Sequence, residues 1–84
     1  MARFGYNRGA QLLRELRDAL KLSQRQLAPL VSMTPGQLAS LETGERGPSL
    51  LTSVTIEAFA FARGADIPPR AWCAPAAPAA EVAA

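Results

Sequence analysis

The side chains that could do covalent or metal chemistry are few. Histidine is absent, which removes the usual general base near neutral pH and the commonest nitrogen ligand for a metal. Cys73 is the single cysteine. It excludes an internal disulfide and a multi-cysteine zinc site, and no base accompanies it. The sequence contains no glycine-rich phosphate loop and no carboxylate pair at a suggestive spacing. It therefore predicts no enzyme, no metal and no cofactor. Hydrogen-bonding chemistry remains. Ser23-Gln24-Arg25-Gln26 and Thr34-Pro35-Gly36-Gln37 each place a hydroxyl three residues before a side-chain amide, the pattern of a capping box. A helix start of this kind presents unpaired N–H groups and a positive dipole end to an anion.

The elements that must hold these groups are helical. Leu13, Leu16 and Leu20 recur on one face of a helix predicted over Gly9 to Lys21, with Asp18 one turn from Arg14 and Lys21,. Ser23 starts a second helix containing Leu27, Ala28 and Val31, and Pro29 within it predicts a kink or a shortened helix,. Thr34 starts a third, with Pro35 at its first position, Leu38 and Leu41 inward and Gly44 as its stop,. Ser49 caps a fourth helix through about Ala62, with Leu50, Val54, Ala58 and Phe61 on one side and Gly64 at its end. Ile67 to Trp72 makes a short final turn or helix. No alternating strand pattern occurs, so the class is all-α. Three segments follow: an arm over 1–8, a helical domain over 9–72, and an Ala/Pro-rich tail over 73–84 expected to be disordered.

Eighty-four residues suffice for one small domain, not for a large enzyme with a deep cleft,. The hydrophobic fraction of 49% is inflated by alanine, so the core rests on the leucines and a few aromatics. No apolar run approaches the roughly 18 residues of a membrane span, and the first residues lack the apolar stretch of a signal peptide. These features predict a soluble, cytoplasmic protein. Residues 1–46 hold seven basic and four acidic side chains, whereas 47–84 hold two and three. That split is compatible with a polyanion partner facing the first half and does not by itself require one.

Two capped helices whose caps lie eleven residues apart, Ser23 and Thr34, have the layout of a helix-turn-helix. The run from Leu13 to Ser49, LRELRDALKLSQRQLAPLVSMTPGQLASLETGERGPS, closely resembles the Cro/Xre-type DNA-binding domain of phage repressors and bacterial regulators. The SQxxLA of Ser23 to Ala28 and the LExGxRxPS of Leu41 to Ser49 carry the likeness without a gap. The resemblance implies a compact four- to five-helix bundle of the lambda-repressor-like type. It also implies a homodimeric repressor, bacterial or phage-encoded, on a palindromic double-stranded DNA operator, with its own promoter among the candidate targets. By the same resemblance, the third helix enters the major groove. The DNA-binding set is then Gln24, Arg25, Thr34, Pro35, Gly36, Gln37, Ser40, Thr43 and Arg46, with Gln24 on phosphate and Thr43 and Arg46 at the backbone. Gln37 serves either as the capping partner of Thr34 or as a contact to adenine or phosphate. Arg17 and Glu42 are paired in the family and count as structural.

Four departures shape the expectations. Pro35 and Gly36 replace long polar side chains, which shifts readout toward Ser40, Gln37, the N-terminal arm and DNA shape. Ser32 stands where the family usually has glycine, which implies a non-glycine residue at positive φ. Pro29 interrupts helix two. The segment from Pro48 to Gly64 exceeds the family pattern by about three residues, extending or realigning helix four. The apolar residues Phe59, Phe61, Ile67 and Trp72 serve either as ordinary core or as a dimer interface supplied to a second copy. The arm, with Arg3, Phe4, Tyr6 and Arg8, is either a disordered leader or a minor-groove or phosphate contact. A second functional reading belongs to another class: a protein-interaction module, such as the antitoxin of a toxin–antitoxin pair, with a toxin as partner.

Overall fold

The computed structural model describes residues 5–77. Four α-helices follow one another: α1 (Arg8–Ala19), α2 (Gln24–Leu27), α3 (Pro35–Thr43) and α4 (Leu50–Phe61). A 3-10 turn at Ala28–Val31 continues α2, and a second at Pro69–Cys73 follows α4. The only β pairing among the described residues is one isolated bridge, Asn7 to Pro75. The all-α class holds, and no helix among the described residues is long and apolar enough to cross a membrane.

Local signals set the ends. Asn7 caps α1 by accepting from the Ala10 amide at 2.9 Å, and Arg8 is the helix's first residue and not part of a leading arm. The helix stops before Lys21, which takes φ +58° while the Leu22 amide donates back to the Arg17 carbonyl at 3.1 Å. Pro29 acts as expected. After the four residues of α2 the chain tightens from α to 3-10, since proline cannot donate to the α ladder,. Ser32 then turns the chain at φ +59°, ψ +41°. Both capping boxes form in full, Ser23 with Gln26 and Thr34 with Gln37.

The core draws on every element. Leu13 and Leu16 of α1 meet Leu27 and Val31 of the second unit, Leu38 and Leu41 of α3, and Ile56 and Phe59 of α4. The final turn closes it by laying Trp72 over α1 at Gly9, where a Cβ would collide with the indole ring. The indole Nε1–H is buried and has no hydrogen-bond partner among the described residues, so Trp72 serves here through bulk.

Three of the four residues set out as a dimer interface are therefore interior. Phe59, Ile67 and Trp72 are 8%, 1% and 2% exposed. The chain after Gly64 folds back across α1 and α4, and these side chains fill the monomer's own core. Phe61, on the far side of α4, is 81% exposed. The side of α4 bearing Leu50, Val54, Ala58 and Phe61 faces solvent throughout.

The tail expectation also changes. Ala74 accepts from the Arg8 amide at 2.8 Å. The Gln11 side chain holds both backbone groups of Ala77, donating at 3.2 Å and accepting at 2.9 Å. A side-chain amide carries both a donor and an acceptor, so one glutamine can satisfy the N–H and the C=O of a single residue together. The remainder of the tail, 78–84, lies outside the described residues, as do Arg3 and Phe4 of the arm.

Candidate nucleic-acid interface

The start of α2 is tied to the end of α3 by one buried charge. Glu42 is 2% exposed. Arg17 grips it with two parallel bonds, Nε to Oε2 at 2.7 Å and Nη2 to Oε1 at 2.9 Å, and its Nη1 donates to the Leu22 carbonyl at 3.0 Å. This fork geometry is the strong form of the arginine–carboxylate bond. The hydrogen bond to Glu42 is the main reason the Arg17 pKa lies above its ordinary value. Gln24 adds a third donor to Glu42, Nε2 to Oε1 at 3.0 Å. Its side chain is thus held by the protein, and the second Nε2 hydrogen and the backbone N–H are what it can offer an anion.

Helix α3 presents the other groups. Leu38 and Leu41 point inward, while Thr34, Pro35, Gly36 and Gln37 are exposed and Ser40 is half-buried. The Thr34 hydroxyl accepts from the Gln37 amide at 3.2 Å, and Gln37 Oε1 accepts from the Thr34 amide at 2.9 Å. Gln37 is therefore the capping partner of Thr34, and that role occupies its oxygen. Its Nε2 makes no bond to another described residue and remains a donor. Thr43 turns its hydroxyl to the Ser40 carbonyl at 3.2 Å. A Cβ on Gly36 would meet nothing within 4 Å, so the glycine is not required by packing and leaves the backbone open to close approach.

Gly44 ends the helix at φ +80°, and the Gly5 carbonyl occupies the space its Cβ would need. The chain before α1 is thereby laid across the end of α3. Beyond it, Arg46 shares a groove of about 340 Å³ with Gln37 and with Ser49 and Thr52 at the start of α4. Sequence reasoning gave Ser49 only a capping role and gave Thr52 none. A serine cap followed three residues later by another hydroxyl was the available signal. Arg25 is exposed on α2. Arg8, set out as part of the arm, is instead bonded through Nη1 to Gln11 Oε1 at 2.7 Å, because α1 begins there.

The structure thus places a row of exposed Gly36, Gln37 and Thr43 and half-buried Ser40 on a helix whose start is capped and whose end is pinned through Glu42 to the preceding helix. The whole unit, from Leu13 in α1 to Phe59 in α4, matches the helix-turn-helix family over residues 13–59, more than half of the chain. The chain belongs to the helix-turn-helix family, of the Cro/C1 type. No curated protein and no solved structure matches it. As a helix-turn-helix protein it is a DNA-binding regulator, of a family that is not typically enzymatic.

Proposed function

We propose that this helix-turn-helix protein is a sequence-specific repressor of transcription that binds a palindromic double-stranded operator as a homodimer in the cytoplasm. The single observation that carries the reading is the exposed, capped face of α3. Its Gln37 and Ser40 can hydrogen-bond to base edges, and its Gly36 lets a sugar or base come close to the backbone. Phosphate contact comes from Gln24 at the start of α2 and from Arg25 and Arg46, the two exposed arginines that flank α3 in sequence,. Few side chains on α3 can reach bases, so DNA shape carries a large part of the specificity.

The test is selection of bound sites from random duplex DNA, followed by titration of the selected site at several salt concentrations with anisotropy as readout. Saturable binding that weakens linearly in log salt is expected, since phosphate contacts release counterions. No enriched site, or affinity indifferent to salt, overturns the proposal. Within that assay, Gln24→Ala should weaken binding to all sequences alike. Ser40→Ala should change preference at one or two positions, by about 1–3 kcal/mol where its hydroxyl meets a base. Unchanged affinity for Gln24→Ala would remove the phosphate role of α2.

A further inference from the structure

Asn7 is buried, at 3% exposed, and lies outside the residues that match the family. Its side chain bonds in two directions. Oδ1 caps α1 by accepting from the Ala10 amide at 2.9 Å, while Nδ2 donates to the Gly5 carbonyl at 2.9 Å. Capping needs only an oxygen, which serine, threonine or aspartate also supplies. The bond to Gly5 is what asparagine adds. The C-terminal strap seats this residue in turn. Asn7 forms the bridge to Pro75, and the next amide, that of Arg8, donates to the Ala74 carbonyl at 2.8 Å.

The Gly5 carbonyl held in this way is the one that fills the Cβ space of Gly44. Both glycines have positive φ, +64° and +80°, which glycine adopts without steric penalty. The contact is therefore backbone against backbone. Gly44 opens the turn that leads from Thr43 to Arg46, and the Glu45 and Arg46 amides both donate to the Ser40 carbonyl, at 3.0 and 3.3 Å. That turn is braced twice, by Gly5 against Gly44 and by Arg17 through the neighbouring Glu42.

We propose that Asn7 is a positioning residue for DNA binding: through Gly5 and Gly44 it fixes the turn that presents Arg46 to a phosphate. The inference rests on the reading of Arg46 as a phosphate contact given above. Asn7 carries no charge and acts without touching DNA. Gly5 is exposed, so a carbonyl released from Nδ2 can bond to water. The loss then falls on the turn more than on the fold. One ordinary hydrogen bond shifts such an equilibrium by about two- to tenfold, and that sets the expected effect on affinity.

A double-mutant cycle on the full chain tests this, with anisotropy titration of a duplex carrying the selected site. The variants are Asn7→Ser, Arg46→Ala and the pair together, each assayed where circular dichroism shows it folded. Serine keeps the cap, as Ser23 does in α2, and removes the Nδ2 donor. Asn7→Thr, a second uncharged cap without that donor, serves if the serine variant does not fold. Arg46→Ala should lower the slope of log affinity against log salt by about 0.9, the loss of one phosphate contact. Asn7→Ser should weaken binding about two- to tenfold in the wild-type and in an Arg25→Ala background, and not at all in the Arg46→Ala background. A variant that is merely less stable loses the same factor in every background, because only its competent fraction changes. Equal losses in all three backgrounds, or no loss in the wild-type, overturn the role of Asn7 and leave the Arg46 contact standing. If Arg46→Ala changes neither affinity nor slope, the phosphate reading of Arg46 fails and this inference fails with it.

Discussion

Glu42 shows how one residue can serve architecture and recognition together. Its carboxylate is nearly sealed from water and accepts three bonds from two side chains, Arg17 and Gln24. Removing Arg17 leaves that charge buried with only an amide donor. Arg17→Ala should cost about 3–5 kcal/mol, read as a fall in the urea midpoint of Trp72 fluorescence. Replacing both partners by apolar residues should cost much less, because no stranded charge remains. A double variant as unstable as Arg17→Ala would show that desolvated Glu42 is not the source of the loss. The pH dependence has a definite sign. The folded pKa of Arg17 is raised, so its contribution is complete at every pH below the ordinary guanidinium value. It is lost only as pH rises beyond that value through the folded one. Between pH 5 and 9 Arg17 itself should impose no slope on the urea midpoint.

At the scale of elements, the unit from α2 to α3 is set by four short-range devices: two capping boxes, Pro29 and the left-handed Ser32. Ser32 holds φ +59° with a side chain attached, a conformation glycine adopts without steric penalty. Ser32→Gly should therefore stabilise the fold by about 1 kcal/mol, measured as an increase in the urea midpoint, with DNA affinity unchanged. Gly36 should behave in the opposite way. Its Cβ would meet open space, and alanine favours helix by up to about 1 kcal/mol over glycine. Gly36→Ala should leave stability equal or higher yet weaken operator binding, since the added methyl occupies the gap left for close approach. Equal affinity for Gly36→Ala would place the bound DNA away from the start of α3.

At the scale of the whole molecule, the two ends of the described chain meet. The segment after Cys73 runs beside the start of α1, held by the Arg8 amide and by the Gln11 side chain, and it keeps Trp72 seated on Gly9. Ending the chain at Cys73 removes these bonds at a cost of about 2 kcal/mol, given that each contributes roughly 0.5–1.5 kcal/mol. The Trp72 emission should shift to the red as the indole gains access to water. An unshifted spectrum and an unchanged urea midpoint would mean that the strap is not needed to hold the final turn. Because α1 also bears Arg17, loosening its start acts on the same body that positions α2.

Much of this was legible in the sequence because its causes are local. Ser23, Thr34 and Ser49 cap their helices through bonds to residues three positions away, and Pro29 and Gly44 end or tighten helices by their own backbone chemistry. The helix order and the row on α3 follow from such signals and from leucine spacing. The arginine–glutamate pair, far apart in sequence, came only with the family resemblance. Which side of α4 faces inward was not legible, because apolar residues occur on every side of this helix and leave no periodicity to show it. Nor was the fate of Phe59, Ile67 and Trp72, which are equally suited to a core or to an interface. Tertiary structure decided both. The return of the chain after Gly64 puts these three side chains inside and leaves Leu50, Leu51, Val54 and Phe61 outside. The Ala/Pro segment could not be read either, because its order at 74–77 depends on Gln11, more than sixty residues earlier in the chain. Short-range hydrogen bonding and backbone stereochemistry are written residue by residue, whereas the choice of which apolar surfaces meet depends on how the elements close around a common core.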